Sequence, residues 1–324
     1  MNGMNKTVKQ IISIVLLIAV FVVFDIGIYE VFTKRVNNKY SEGMQSKSVE
    51  LDAYLPFDRD SRIVKTSSSV KLEGDLPVVD GAAALYPVFS AFVSALYPED
   101  SVSFNGVDFD KESALQMTNT RGAYKSVVDG DADVVFCAKP SEEQLAYAKE
   151  KNVELELEPI GREAFVFIIN ANNPVESLSV DDVKKIYTQE YTNWSQLGGE
   201  KKAIAALQRN EGSGSQTAML SFMNGEPMKK DWNTFMGGAI GYSFRYYITD
   251  VVADGTLKMV KLNGVEPSVE NIRKGEYPIV SNFYAVYRKD NQNENVRKMV
   301  DWVLSEEGQK IIEDTGYVSV QQTC

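Results

Sequence analysis

Histidine is absent from this sequence, and cysteine occurs only at Cys137 and Cys324. Without histidine, no Ser–His–Asp or Cys–His catalytic arrangement and no histidine-based zinc site can form. The two cysteines lie far apart and permit at most one disulfide, so the fold does not rest on a disulfide framework. Whether they pair is left open. We expect a chain that uses no metal or cofactor and is not an enzyme.

Runs of lysine and arginine are also missing, and acidic residues exceed basic ones by 45 to 34, for a net charge of −11. Nucleic-acid-binding proteins usually carry a basic face, so we expect no nucleic-acid partner. The acidic balance does not exclude an anionic ligand. Salt screens the overall field within roughly 8 Å, and local hydrogen-bond donors then decide binding.

The only long apolar run lies near the N-terminus, at Ile11–Phe24 with an extension to Ile28. Its length approaches the roughly 20 residues that cross a bilayer. We expect residues 1–33 to form a single-pass membrane anchor, with the globular part outside the cytoplasm. A cleaved signal peptide is the alternative. The run is followed neither by a convincing small-x-small cleavage site nor by a cysteine that would accept a lipid.

Residues 34–74 are polar and without periodicity, which indicates a linker or wrapping segment. From Leu76 onward strands and helices alternate, which predicts an α/β fold with largely parallel sheets. Helices are predicted from Gly81 to about Leu96, over Arg121–Asp129, after Ser141, and near Val180–Tyr187, Ser215–Met223 and Asn293–Thr315, and strands over Ala132–Ala138 and Phe165–Asn170.

The segment from Arg209 to Ser215 (the Ser/Gly loop) stands directly before a predicted helix. Gly212 and Gly214 let the backbone turn tightly, while Ser213 and Ser215 offer hydroxyl donors. A helix start also presents unpaired N–H groups and a positive dipole end. With Arg209 as a charged fork, the loop predicts an oxyanion site. A plain helix cap is the alternative interpretation.

The motifs around this loop resemble the phosphate-binding subunits of bacterial ABC importers, the PstS-like family. Asn173–Gly199 carries Asn-Pro-Val, Ile-Tyr and Thr-Asn-Trp-x-x-Leu-Gly-Gly in the family's order, and the family's Arg-x-x-x-Ser-Gly-Thr loop then corresponds to Arg209 and Ser213–Ser215. Ala239–Tyr242 and Glu307–Gln309 also resemble motifs of the family, so the resemblance extends over about residues 75–320.

Carried over residue by residue, the resemblance implies that Arg209, Ser213, Gly214 and Ser215 bind phosphate, with serine for threonine at Ser215. Thr120 resembles a second-loop hydroxyl, although a helix cap is nearly as good an interpretation. Asp133 is proposed as the carboxylate that accepts a proton from hydrogen phosphate, against the alternative of a solvated strand start. Trp194 is expected to be a packing residue.

The first loop departs from the family pattern. Where relatives often carry hydroxyl side chains, this chain has Ala82–Ala84 followed by Leu85. We expect backbone N–H groups at Ala84 and Leu85 to contribute instead. Each lost charged hydrogen bond costs roughly 1.5–3 kcal/mol, so the affinity for the anion and its identity stay open.

The resemblance implies a two-lobed periplasmic-binding-protein-like fold with crossover hinge strands. Residues 75–160 and 275–324 would form lobe 1, and residues 161–274 lobe 2. The implied function is an extracytoplasmic solute-binding protein that captures phosphate, or a related oxyanion, as a monomer and delivers it to an ABC permease. The alternative is a membrane-anchored ligand-sensing or adhesive domain that kept the fold without transport.

Overall fold

One long strand joins the two halves of the sheet. The computed structural model describes residues 49–229, 238–252 and 255–320. In this part of the chain the strands are β1 (Val79–Gly81), β2 (Val134–Ala138), β3 (Leu155–Asn170), β4 (Ser177–Leu178), β5 (Ile204–Ala206), β6 (Gly238–Phe244), β7 (Leu257–Met259), β8 (Lys261–Leu262), β9 (Val280–Arg288) and β10 (Val318–Ser319).

Helices alternate with these strands, as the sequence predicted. The α-helices of the described part are α1 (Tyr86–Leu96), α2 (Asn119–Asp129), α3 (Glu142–Glu150), α4 (Val180–Tyr187), α5 (Gly214–Met223), α6 (Val269–Lys274), α7 (Glu294–Leu304) and α8 (Glu306–Thr315). Short 3₁₀ helices lie at Leu51–Tyr54, Ala83–Leu85, Glu99–Ser101 and Trp194–Leu197, and a π-helical turn at Tyr247–Val252.

The prediction of one helix over Asn293–Thr315 was wrong, because two helices meet at Ser305. The backbone of Ser305 is extended (ψ 170°), and its hydroxyl donates to the carbonyl of Trp302 at 2.6 Å. The side chain thus offers the backbone an alternative to the helical hydrogen bond.

The expectation of largely parallel sheets was also wrong. The strand order is β1-β2-β9-β3-β6-β5, and β7 and β10 pair with β3 as well. Within this sheet only β1–β2 and β5–β6 pair in parallel, and the pairings of β3 with its neighbours are antiparallel. The apolar run Phe165–Asn170 does form a buried strand. Such a run reports burial on both faces, and an internal antiparallel strand meets that condition as well as a parallel one.

Strand β3 changes its main partner midway. From Leu155 to Ala164 it pairs with β9, and from Phe165 to Ile169 it pairs with β6. We call β1, β2, β9, β10 and the first part of β3 the first half of the sheet, and β5, β6, β7 and the rest of β3 the second half. The boundary between Ala164 and Phe165 is the strand changeover.

Residues 49–72 pack along α1 and cover its outer face. Val49, Tyr54, Ile63 and Leu72 are buried in the same cluster as α1. Two α1 side chains donate to the backbone of the segment, Tyr86 Oη to Leu51 O at 3.0 Å and Ser90 Oγ to Tyr54 O at 2.5 Å. In the other direction, the N–H of Leu72 donates to Leu96 O at 2.9 Å. This cover explains why almost every side chain of α1 is buried.

Two predictions concern residues outside the described ranges. Within those ranges no helix is long and apolar enough to cross a membrane, and the predicted anchor over residues 1–33 lies outside them. Cys137 is a buried free thiol on β2, and Cys324 lies outside the described residues.

A buried ion pair lies at the strand changeover. Glu163 is 3% exposed, and its carboxylate accepts from Arg245 Nε at 3.1 Å and from the N–H of Tyr246 at 3.0 Å. Burial raises the pKa of Glu163 from 4.5 to about 7, against the opposing charge of Arg245. Desolvation therefore outweighs the attraction between the partners.

This pKa predicts a pH dependence of stability. Because the pKa of Glu163 is higher in the folded chain than in the unfolded one, the folded chain binds more protons between pH 4.5 and about 7. The contribution of Glu163 is complete below pH 4.5 and is lost as pH rises through about 7. Relative to Glu163→Gln, the wild-type free energy of unfolding should fall by about 3 kcal/mol between pH 5 and pH 8 in urea titrations. If the free energy of unfolding of the wild type instead rises with pH relative to Glu163→Gln, the pKa of Glu163 lies below its ordinary value.

Candidate functional site

The carboxyl ends of β1 and β2 meet at one edge of the first half of the sheet. Gly81 is in register with Phe136, and the N–H of Ala82 donates to Phe136 O at 2.9 Å. The loop after β1 leads into α1, and Ala138 ends β2 at the same edge. This edge therefore brings together loops and helix starts that are distant in sequence.

The alanine loop (residues 82–85) crosses this edge as a 3₁₀ turn. Ala83 and Ala84 are half-buried, whereas the side chain of Leu85 packs into the core. The N–H of Leu85 donates to Ala82 O at 2.8 Å, and the carbonyl of Ala84 accepts from the hydroxyl of Tyr317. Leu85, one of the predicted ligand contacts, therefore uses its N–H inside the loop. The first N–H groups of the turn, at Ala83 and Ala84, have no intrahelical acceptor.

The start of α2 is held by Asp80, which the sequence analysis did not identify. The Asp80 carboxylate is fully buried and accepts from the N–H of Thr118 at 2.8 Å and from the hydroxyl of Thr118. Burial raises the pKa of Asp80 above its ordinary value, although these hydrogen bonds favour the charged form. The sequence does offer a signal, since Asp80 directly follows the apolar residues Val78 and Val79 and precedes the alanine loop.

Thr120 lies in the first turn of α2 and is 8% exposed. The N-cap position belongs to Thr118, so Thr120 is not the ordinary helix cap that was the alternative interpretation. Thr120 thus lies at a helix start, where the first backbone N–H groups have no intrahelical acceptor.

Neutral side chains fix the Ser/Gly loop at both ends. The backbone N–H of Arg209 donates to Gln216 Oε1 at 3.1 Å and to Tyr242 Oη at 3.0 Å. Ser213 caps α5, because its Oγ accepts from the N–H of Gln216 at 3.1 Å. The cap interpretation of Ser213 is thus correct, yet a hydroxyl that accepts this bond keeps its proton to donate elsewhere. Gly212 has φ +75°, a conformation in which glycine avoids strain.

The guanidinium of Arg209 is half-buried and forms no ion pair with any residue that the structure describes. Burial lowers the pKa of Arg209, and the groups that act on its charge are the phenols of Tyr242 and Tyr247. Other arginines near the edge do have partners: Arg121 pairs with Glu143 at 3.5 Å, and Arg245 with Glu163. Arg209 is therefore a desolvated cation that lacks a described counter-charge.

The Ser/Gly loop packs directly against the first half of the sheet. Gly212 O accepts from Gln144 Nε2 at 3.2 Å. A methyl group at Gly214 would lie 3.4 Å from Thr120 Oγ1 and 3.3 Å from the Cβ of Ala138, which is tighter than most Cβ contacts. The start of α5 therefore faces the start of α2, and a side chain at position 214 would require its neighbours to shift by a few tenths of an ångström.

Gln144 has a second role that accounts for its orientation. Its Oε1 accepts from the N–H of Ser141 at 2.8 Å, while Ser141 Oγ accepts from the N–H of Gln144 at 3.2 Å. This capping box holds Gln144 at the start of α3, the helix that the sequence predicted after Ser141. Trp194 is buried and donates from Nε1 to Gly238 O at 2.9 Å, as expected of a packing residue.

Asp133 does not join these residues. It precedes β2, five positions before Ala138, so at about 3.3 Å per residue it lies roughly 16 Å along the strand from the site. Its carboxylate accepts from the N–H of Val78 at 2.9 Å and from Asn291 Nδ2 at 3.0 Å. These hydrogen bonds link β1, β2 and the segment after β9, and they place Asp133 apart from the other predicted ligand residues.

Asp133→Ala should reduce the free energy of unfolding by about 1–3 kcal/mol, because it leaves two part-buried donors without their acceptor. Asp131→Ala is the matched control. Asp131 is exposed, so its loss should change stability by no more than about 0.5 kcal/mol. Urea denaturation measures both. Equal, small losses would contradict the structural role of Asp133.

Comparison with known proteins agrees with this architecture. The model of the PBP superfamily domain matches residues 76–307. Phosphate-binding protein PstS of Bacillus subtilis is 26% identical over 77% of this chain and 82% of its own length. Protein SphX of Synechococcus elongatus is 23% identical over 75% of this chain and 77% of its own length.

Solved structures show the same two-lobed α/β fold. A phosphate ABC transporter substrate-binding protein from Clostridium perfringens, solved with bound phosphate, superposes with a TM-score of 0.58 at 24% identity, covering 75% of this chain and 98% of that chain. An ABC-type phosphate transport receptor from Vibrio cholerae gives 0.52 at 19% identity, covering 74% and 98%. With its family match over most of the sequence, the chain belongs to the PBP superfamily.

Proposed function

We propose that this protein is an extracytoplasmic solute-binding protein that captures phosphate for an ABC importer. The half-buried Arg209 guanidinium without a described counter-charge is the observation that carries the proposal. A buried cation is costly unless an anion compensates it, so the site is built for a ligand of opposite charge. The relatives named phosphate-binding protein PstS support phosphate as that ligand.

The anion would be held by dipoles and one guanidinium. Arg209 supplies a fork of N–H donors that fits two oxygens at once. Ser213, Ser215 and Thr120 add hydroxyls at the starts of α5 and α2, where unpaired N–H groups and the helix dipoles favour negative charge. The alanine loop would contribute backbone N–H groups from Ala84 and its neighbour Ala83 rather than side chains.

We further propose residues 75–160 and 275–324 as lobe 1 and residues 161–274 as lobe 2, with β3 as a crossover hinge strand. Support comes from the change of partner of β3 between Ala164 and Phe165. Arg209 and the serines would belong to one lobe, and Thr120 to the other. An anion that contacts both lobes only in the closed form would bind the closed form more tightly than the open form. It would stabilise the closed form by that difference in binding free energy.

The protein would work as a monomer that is tethered by the membrane anchor over residues 1–33 and releases its ligand to an ABC permease. The alanine loop favours a second candidate, a membrane-anchored sensing or adhesive domain, because it lacks the hydroxyl donors that tight capture would use. Loss of the gene should slow uptake of radioactive phosphate if the protein serves transport. Unchanged uptake would favour the sensing or adhesive domain.

Arg209→Ala tests the proposed site. Loss of two charged hydrogen bonds should weaken phosphate binding by about 3 kcal/mol, or roughly a hundredfold, in calorimetric titrations. Without phosphate, the free energy of unfolding should stay the same or rise, because the variant no longer buries a cation that lacks a counter-charge.

Arg273→Ala is the control for this titration, because Arg273 pairs with Glu313 at 3.6 Å on the surface and should leave phosphate affinity unchanged. Arsenate and sulfate are titrated alongside phosphate into the wild type. Unchanged phosphate affinity in Arg209→Ala would defeat the assignment, and tighter binding of sulfate would defeat phosphate as the ligand.

A further inference from the structure

A tyrosine from the C-terminal part of the chain reaches the alanine loop. Tyr317 is 1% exposed, and its hydroxyl donates to the carbonyl of Ala84. Its ring packs against Tyr246, with ring centres 4.5 Å apart, and against Phe283 at 5.1 Å. The side chain is therefore held on two sides while its single polar atom fixes one peptide group of the loop.

The residue before Tyr317 is held by the ion pair at the strand changeover. The guanidinium of Arg245 donates both to Glu163 and to the carbonyl of Gly316. Glu163 also accepts from the N–H of Tyr246, the residue whose ring packs on Tyr317. Glu163 and Arg245 thus constrain Tyr317 twice, once through the backbone of Gly316 and once through the ring of Tyr246.

This set of contacts connects the strand changeover to the alanine loop. Glu163 is next to the last residue of β3 that pairs with β9, and Arg245 directly follows β6. A rotation of one half of the sheet against the other at this point would move Arg245 relative to Gly316. The hydrogen bond from Tyr317 would then move Ala84. Buried networks of this kind have few alternative arrangements, because any broken bond leaves a desolvated group.

We propose that Tyr317 is a positioning residue for anion binding, which holds the alanine loop in its binding geometry and is itself held by the Glu163–Arg245 pair. This inference rests on the proposed function of the site. The alanine loop has no side-chain donors, so its contribution to anion binding depends on how its backbone N–H groups are oriented. Tyr317 supplies that orientation from outside the loop.

Tyr317→Phe keeps the ring packing and removes only the hydrogen bond to Ala84. Calorimetric titration of the full-length chain with inorganic phosphate should give roughly three- to tenfold weaker binding. Tyr97→Phe is the matched control. Tyr97 is equally buried and donates to Pro77 O at 2.7 Å, away from the alanine loop. The Tyr97→Phe variant should lose about as much thermal stability as Tyr317→Phe, but its phosphate affinity should stay within twofold of the wild type.

Glu163→Gln, alone and combined with Tyr317→Phe, tests the connection to the changeover. If both substitutions act through the hydrogen bond from Tyr317 to Ala84, the double variant should bind phosphate about as weakly as the weaker-binding single variant. The second substitution then removes nothing that the first has not already removed. A merely structural role predicts that the two losses multiply.

The possible results separate this inference from the proposed function. A wild-type chain that binds no phosphate defeats both. If the wild type binds phosphate and the affinity of Tyr317→Phe is within twofold of it, only the positioning role is defeated. The same holds if Tyr97→Phe loses as much phosphate affinity as Tyr317→Phe, or if the two losses in the double variant are independent. Weakened binding in Tyr317→Phe alone, with non-additivity to Glu163→Gln, supports it.

Discussion

The cost of burying the Arg209 guanidinium governs the arrangement of the site. The chain carries 45 acidic side chains, yet no described one pairs with this cation. The backbone of Arg209 is anchored by Gln216 and Tyr242, which are neutral at physiological pH. Burial raises the pKa of Tyr242 to about 12, so its phenol stays uncharged there. Because the side chains that anchor this desolvated cation are neutral, none of them reduces its attraction for an incoming anion.

The fold supplies the other half of the enclosure at one edge of the sheet. β1 and β2 are parallel, so the alanine loop and Ala138 meet where the Ser/Gly loop approaches. Asp80 places a buried carboxylate behind the start of α2, where it fixes Thr118 rather than the ligand. Each wall of the site thus depends on a hydrogen bond with a neighbouring buried side chain: Asp80 for α2, Tyr317 for the alanine loop and Gln216 for the Ser/Gly loop.

Local signals predicted the parts of the site that depend on local geometry. The order of glycine and serine before a helix identified the Ser/Gly loop, and a helix was correctly predicted after Ser141, where α3 begins. The direction of β3 could not be predicted, because a continuous apolar run is compatible with either direction. Asp133 and Asp80 both flank short apolar strands in the sequence. Only the packed sheet distinguishes the carboxylate beside the site from the one at the far end of β2.

The contacts that tie Tyr317 to Ala84 and Arg245 to Glu163 lie far beyond local sequence patterns. The two residues of each pair are separated by long stretches of chain, and the composition of neither segment predicts the contact. Such contacts arise only when the strand changeover brings distant segments together. They are also the contacts through which movement of the two halves would reach the ligand.

Crystals of the full-length chain grown with arsenate, whose arsenic scatters anomalously, would show whether the Arg209 guanidinium binds the anion. We predict one strong anomalous peak, with arsenate oxygens within hydrogen-bond distance of the Arg209 guanidinium and the ion bounded by Ser215 and Thr120. A peak elsewhere on the protein, or an Arg209 guanidinium that contacts no arsenate oxygen, would contradict it.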